Sequence, residues 1–346
     1  MSSIREARRV WQAIENDHGQ GKRVVLVTLV HVRGSAYRRP GAKMMMAEDG
    51  NMVGTLSGGC LEGDLFGHAE KAMQTGTPSL HHYNLTEDDM WGLGIGCKGE
   101  VDVWIEPVDP HNPFWKTYGS LIASDQSVIM GAELPYGNRF LTQLDGTPIA
   151  MTGHMIPQCP SRVGQGTAAT WWLDGTLWDV MVPPSRFVIA GAGHDAQPVA
   201  QLAMHAGFDV IVLDPRAVFN SEERFAGITH WVYRAEELPA HLRPLLTGAY
   251  WVIMNHHQQR DEEALWLAAQ HQPRYLGVLG PLSRTRDMLK NRHLDADALP
   301  LFAPVGLDLE AETADEVAIS IVSEALAIRQ GGRGGHLRGR TQIHAT

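Results

Sequence analysis

A short apolar run, Arg186-Phe187-Val188-Ile189-Ala190, leads directly into Gly191-Ala192-Gly193-His194-Asp195-Ala196. Few folds accommodate that succession. A strand must turn at the first glycine, the second leaves the backbone bare, and the small residue at 196 lets a following helix lie close on the strand. The expected helix runs to about 205. Another apolar strand follows over 208–213 and closes on Asp214. Further strands are expected at 231–233, 250–254 and 275–279, with helices at 261–269, 282–290 and 314–329. Such alternation calls for a parallel, doubly wound sheet, that is, a Rossmann-like domain. In that fold a nucleotide's phosphates sit on the helix N-terminus beyond Gly191 and Gly193. Asp214 stands where an acid commonly takes a ribose hydroxyl, with Arg216 beside it. His256 and Asp261 follow the strand at 250–254, at the carboxyl edge where such folds bind ligands. They either contact a nucleotide or move a proton, or Asp261 simply caps the next helix. Nucleotide binding stands beside a plainer alternative, a Rossmann-like fold kept for its architecture.

Pro183-Pro184 sets this half apart from what precedes it. A first helix is expected where Ile4, Ala7, Trp11 and Ile14 recur at helical spacing, ending at Gly19. A buried strand at 23–30, a loop at 31–41 and a hairpin turning at Asp49-Gly50 follow. Then come a helix at 61–72 and strands at 80–85 and 101–106. The expected organisation is a mixed α+β domain over 1–109 and a less regular segment over 110–183 that packs with it. The Rossmann-like domain covers 184–330, and a Gly- and Arg-rich tail over 331–346 reads as disordered. Within the middle segment a strand is expected at 126–134, and a hairpin turns at Asp174-Gly175.

Two cysteines lie in glycine-punctuated segments of the first domain, Ser57-Gly58-Gly59-Cys60-Leu61-Glu62 and Gly94-Ile95-Gly96-Cys97-Lys98-Gly99-Glu100. Glycines free the backbone to approach a ligand. A thiol on such a loop is accessible, and neighbouring amides would favour its thiolate, a soft ligand for metals or a carrier of sulfur. The alternative is two small buried residues beside turns. The densest basic stretch of this domain runs from His31 to Lys43. Arg38, Arg39 and Lys43 would suit the phosphate of a small anion, Gly34 and Gly41 letting the backbone wrap it, unless the stretch is only a solvated loop.

The 346 residues suffice for two cores, and the net charge of −10 argues against a nucleic-acid partner. Three cysteines make no disulfide framework, and Cys159 has no partner at metal-ligand spacing. No apolar run reaches transmembrane length and the first residues lack a signal core, so the cytoplasm is the expected location and no membrane contact is foreseen.

With these residues in view, the chain resembles the XdhC/CoxI family, the accessory factors of xanthine dehydrogenase and related molybdenum hydroxylases. The matching stretches are Arg39-Pro40-Gly41-Ala42-Lys43-Met44, Gly54-Thr55-Leu56-Ser57-Gly58-Gly59-Cys60-Leu61-Glu62, and Gly94-Ile95-Gly96-Cys97 with Gly99-Glu100-Val101. In the second half they are Gly191-Ala192-Gly193-His194, Asp214-Pro215-Arg216, Leu276-Gly277-Val278-Leu279-Gly280, Pro304-Val305-Gly306-Leu307-Asp308-Leu309 and Glu316-Val317-Ala318-Ile319-Ser320-Ile321. Lys98 and Asn255 stand where the family usually has Gly and Thr. The resemblance implies a non-enzymatic chaperone. It binds and shields the molybdenum cofactor, in its molybdopterin or dinucleotide form, supports its sulfuration by a cysteine desulfurase, and delivers it to an apo molybdenum hydroxylase. On that reading Cys60 and Cys97 contact molybdenum, with Gly58 and Gly59 opening their loop. Arg38, Arg39 and Lys43 hold phosphate, and Gly191, Gly193, His194, Asp214 and His256 serve a dinucleotide. A homodimer is expected. The rival reading is an NAD(P)-dependent oxidoreductase built on the Rossmann-like domain.

Overall fold

The computed structural model describes residues 4–59, 61–85, 99–135, 137–153, 157–160, 163, 169–232, 238–239 and 242–339. The chain divides between Pro183 and Pro184 into two compact units.

The first unit opens with α1 (Ile4–Gly19), then β1 (Val24–Gly34), β2 (Lys43–Ala47), β3 (Met52–Gly54), α2 (Glu62–Thr75), β4 (Ser79–Asn84) and β5 (Gly99–Pro107). The five strands form one antiparallel sheet in the order β3-β2-β1-β5-β4. Alternation sorts its side chains to two cores. Val25, Val27, Met44, Met46, Val103 and Ile105 meet Leu65, Ala69 and Met73 of α2, while Val24, Leu26, Met45 and Ala47 meet α1. The segment after β5 is more regular than its sequence suggests. It supplies α3 (Pro113–Ala123), β6 (Val128–Glu133), β7 (Asn138–Thr142), β8 (Pro148–Met151), β9 (Ala169–Leu173) and β10 (Thr176–Met181). These strands build a second sheet in the order β8-β7-β6-β10-β9. The start of α3 carries a signal in Asn112-Pro113: the Asn112 side chain accepts from the Phe114 amide at 2.9 Å and proline takes the first helical position.

Two fully buried ion pairs join the two sheets. Lys43 of β2 pairs with Asp179 of β10, and Arg139 of β7 with Glu106 of β5. Thr170 adds a hydroxyl to Asp179 at 2.7 Å. Burial pushes Glu106 up from the usual carboxylate range and Arg139 down, each against its partner's charge.

The second unit holds β11 (Arg186–Ala190), α4 (Ala196–His205), β12 (Asp209–Leu213), β13 (Thr229–Trp231), α5 (Arg243–Leu246) and β14 (Tyr250–Ile253). It continues with α6 (Gln258–Gln270), β15 (Tyr275–Val278), α7 (Leu282–Asn291), β16 (Leu301–Phe302) and α8 (Ala314–Gln330). Its six strands are all parallel, in the order β13-β12-β11-β14-β15-β16. Neighbouring residues of one strand point to opposite layers. Phe187 and Ile189 pack against Val199 of α4 and Ile321 of α8, while Val188 and Ala190 belong to the layer holding Leu265 of α6 and Met288 of α7. Burial on both faces is why the four inner strands, β11, β12, β14 and β15, are continuous apolar runs. The doubly wound sheet and the mixed first unit are the fold class anticipated from the sequence. The order reverses between β11 and β14, which places the fold's ligand crevice beyond their carboxyl ends. Of the tail, 331–339 is described, without strand; 340–346 lies outside the described residues.

Candidate functional site

In the first unit the basic loop lies at one end of the first sheet, beside Gly58 and Gly99. β1 runs further than the sequence suggests, through His31 to Gly34, because β5 begins opposite it and offers acids across the strands. Arg33 donates to Glu100 at 3.1 Å, and Asp102 lies between His31 and His82, 3.3 and 2.8 Å from their Nδ1 atoms. The basic loop is thereby shortened to 35–42. Gly34 pairs with Gly99, and a Cβ on Gly99 would stand 2.5 Å from the Ser35 carbonyl oxygen, so only glycine permits this approach. The chain leaves this edge at Leu85, whose amide donates to the Gly99 carbonyl at 2.8 Å, and returns at Gly99. On the other side the Tyr37 ring lies over Gly58, where an added Cβ would meet its carbons at 3.6 Å. The basic loop thus has Gly58 on one side and Gly99 on the other. Cys60 and Cys97 themselves lie outside the described residues, as does the stretch 86–98.

The residues around Cys60 are organised by a group the motif reading left without a role. The Glu62 carboxylate accepts from the amides of Ser57 and Gly59 at 3.0 Å, Leu61 at 3.2 Å and Leu56 at 3.4 Å, and from the Ser57 hydroxyl. Burial works to raise its pKa, but the Ser57 hydroxyl and these amides outweigh it and hold Glu62 below the usual carboxylate range. The loop amides expected to favour a thiolate are therefore engaged by Glu62.

The basic residues divide three ways. Lys43 is a correction: it has no exposed surface and its ammonium is committed to Asp179, so it does not face a ligand. It falls inside because β2 is buried along its whole length, with the Asp179 carboxylate waiting opposite. Arg38 is half-buried and donates to Glu6 of α1 at 2.6 Å. Arg39 is exposed. Cys159, by contrast, is partly buried, which pushes its thiol up.

In the second unit Gly191 has φ +121° and a Cβ there would lie 2.6 Å from the Met254 carbonyl oxygen, so the turn is closed against the end of β14. Asp214 is also placed otherwise than a ribose ligand requires. It has no exposed surface; one oxygen accepts from the Ala192 amide at 2.7 Å and Arg216 Nη2 at 2.6 Å, the other from the Arg216 amide at 2.8 Å and Nε at 2.9 Å. Burial acts to raise Asp214, yet Arg216 and the two amides hold it below the ordinary carboxylate range. Phe219 lies between two guanidinium groups, Arg216 at 4.3 Å and Arg224 at 5.4 Å from its ring centre. Arg224, unremarked in the sequence, donates to the Ala192 and Gly193 carbonyls at 3.3 and 3.2 Å. His194 is exposed beside the loop with its ring edge-on to Phe219. His256, with a left-handed φ of 56°, reaches across the crevice to Asp195, Nε2 to Oδ2 2.6 Å. Asp261 is buried at the start of α6, where it accepts from the Asn255 amide at 2.9 Å and pairs with Arg284.

Two family models match the chain, the XdhC and CoxI family over residues 18–84 and the XdhC Rossmann domain over 187–325. A protein of Bacillus subtilis (strain 168), named as a probable xanthine dehydrogenase subunit, is 30% identical over 318 residues, covering 88% of this chain and 93% of that one. The chain belongs to the XdhC and CoxI family. A second relative is the "Molybdenum cofactor insertion chaperone PaoD" of Escherichia coli (strain K12), 26% identical over 315 residues, or 89% of this chain and 84% of that one. The crystal structure of a xanthine dehydrogenase from Bacillus halodurans matches with a TM-score of 0.79 and 30% identity over 96% of each chain. Nothing in these comparisons supports an NAD(P) site, and in this XdhC and CoxI member the sealed Asp214 has no lone pair to offer a ribose. No helix among the described residues is long and apolar enough to cross a membrane, and no group of three or more His, Cys, Asp or Glu among them is arranged to hold a metal ion.

Proposed function

We propose that this chain is a carrier and insertion chaperone for the molybdenum cofactor, serving a xanthine dehydrogenase-type molybdenum hydroxylase and catalysing no turnover of its own. The names of the B. subtilis and E. coli relatives support the role. The observation that carries it is that the basic loop lies beside Gly58, two residues before Cys60, and beside Gly99, two residues after Cys97. The cargo is a substrate rather than a resident group: an anion with a phosphate, a dithiolene and a metal. Arg39 is the exposed cation for the phosphate, and Arg38 joins it by exchanging Glu6 for the ligand. Cys60 and Cys97 supply soft thiolates toward molybdenum. With the cargo so held, a cysteine desulfurase supplies the sulfur for its sulfuration before transfer to the apo-hydroxylase. In the second unit the Gly191 loop is assigned the pyrophosphate of the dinucleotide form, with Gly193, His194 and His256 around it. The chaperone acts in the cytoplasm as a homodimer.

Anaerobic co-purification followed by pterin and molybdenum analysis tests the reading. Wild type is expected to carry molybdopterin and to activate an apo-hydroxylase; Cys60→Ala and Arg39→Ala are expected to lose the cargo. Retention of cargo and activation by both variants would sink the thiol-and-arginine site. Turnover with NADH in the absence of any hydroxylase would sink the chaperone role.

A further inference from the structure

The Gly191 loop carries its own anion. In a strand–glycine–helix turn of this kind the second glycine is where backbone and pyrophosphate approach each other, because a side chain there would stand in the way. At Gly193 that space is taken: a Cβ would lie 2.5 Å from Asp195 Oδ1. Asp195 precedes α4 with a helical backbone, φ −71° and ψ −22°, and its side chain makes no cap hydrogen bond. Its carboxylate turns back over Gly193, and its second oxygen is held by His256 Nε2 at 2.6 Å. His256 comes from the far side of the switch point, after β14, and its side chain is 60% exposed. At this exposure the pair adds little to folding. Arg224 is fixed on the Ala192 and Gly193 carbonyls, and Arg216 is fixed on Asp214.

We propose that Asp195 is an internal stand-in for phosphate, latched by His256 over Gly193, and that a nucleotide-type diphosphate binds by displacing it, His256 passing from the carboxylate to a phosphate oxygen of the ligand. The inference rests on the assignment of a pyrophosphate to the Gly191 loop and deepens it. It makes Asp195 a negative determinant of affinity: the carboxylate must leave before the ligand enters, and its charge opposes the ligand throughout. It makes His256 a positive one. No covalent step is involved.

Calorimetric titration of the full-length protein with ADP, CDP and inorganic pyrophosphate tests this. Asp195→Asn removes the charge and is expected to tighten diphosphate binding about tenfold; Asp195→Ser, which removes both the charge and the reach over Gly193, is expected to do the same. His256→Ala is expected to weaken binding several-fold on the Asp195→Asn background, where no carboxylate is left to hold and only the contact to the ligand is lost. Both positions are partly exposed and the thermal midpoint is expected to stay close to wild type in each variant. Weaker or unchanged binding in both Asp195 variants, with wild type binding measurably, overturns the latch and leaves the pyrophosphate assignment standing. No binding of any probe by wild type or by either Asp195 variant removes the assignment itself, and the latch with it.

Discussion

Two glycine segments of this chain are each built around a carboxylate of their own, and they use it differently. In the first unit Glu62 gathers the amides of Leu56, Ser57, Gly59 and Leu61, so one acid at the start of α2 organises the loop from within. In the second, Asp214 takes a single loop amide, that of Ala192, from beneath and gives the rest of its capacity to Arg216. Another acid, Asp195, covers the mouth. Glycine-rich backbone is therefore not synonymous with a vacant anion nest. Where the internal acid gathers several amides at once, the loop is a mount held from within. Where the acid ties one amide and the second acid only covers the opening, the loop can still exchange its occupant.

The largest expected effect separates the units by what stabilises them. The first unit buries two ion pairs at the junction of its sheets, whereas the sheet of the second is covered by apolar layers. Lys43→Met would leave Asp179 charged and buried with the Thr170 hydroxyl as its remaining side-chain hydrogen bond among the described residues, and is expected to cost about 3–5 kcal/mol. Urea unfolding followed by probes in each unit checks it: the first unit's transition should move to lower urea and the second's should not. An unmoved first transition would mean that the pair braces nothing.

Asp214→Asn comes next. One carboxylate oxygen becomes an amide nitrogen that cannot accept, and Arg216, already 30% exposed, turns toward water. The expected cost is about 1–3 kcal/mol in the second unit. The sign of the pH dependence follows from the lowered folded pKa. Asp214 contributes stability that is complete above the unfolded value of ~3.9 and fades as pH falls through the lower folded value. Denaturant midpoints between neutral and acid pH should therefore lose part of their slope in the variant. Glu62→Gln is expected to cost less, about 1 kcal/mol in the first unit, because its loop is half-exposed and water can replace a lost partner. Its pH signature has the same sign, with stability present above ~4.3 and lost on acidification below it. If Glu62→Gln proves the more damaging of the two, the contrast between a mounted loop and a tied one is reversed.

Much of the fold was written in periodicity, and the parts that were not share a cause. The second unit's four inner strands, β11, β12, β14 and β15, were legible because both faces are buried and the sequence shows it as unbroken apolar runs. The short edge strands β13 and β16 are less buried, the first being expected two residues late and the second not at all. The first unit's α1 was legible from Ile4, Ala7, Trp11 and Ile14, all buried in the structure. β7 was not, since Asn138-Arg139-Phe140 hides an inward arginine whose partner, Glu106, is remote in sequence. The same remoteness concealed the fate of Lys43. A lysine closing a basic loop looks like a phosphate ligand until Asp179 appears opposite it. At the candidate site, glycine positions were legible because only glycine tolerates the approaches at Gly99 and Gly191. The acids that fill those loops were not. Glu62 and Asp195 are ordinary helix-start residues by sequence, and nothing local says that their carboxylates turn back toward the glycines rather than out to solvent.

The smallest effect on stability sharpens the comparison most directly at the basic loop. Arg38 and Arg39 are adjacent in sequence, yet one is tied to Glu6 of α1 and the other is exposed. Arg38→Ala breaks a partly exposed ion pair and is expected to cost no more than about 0.5–1 kcal/mol. Arg39→Ala breaks no ion pair seen among the described residues and should leave the first unit's urea midpoint where it was. Cargo retention should rank them the other way. Arg39 meets the ligand phosphate without giving anything up, so its loss removes one whole charge-assisted contact. Arg38 must first leave Glu6, so its net contribution to binding is the smaller. If Arg38→Ala instead releases the cargo more readily than Arg39→Ala, then Glu6 is the displaced acid of this loop. Glu6 would then do for the first unit what Asp195 does for the second, and the two units would differ in how tightly their internal acids are held rather than in whether one is exchanged.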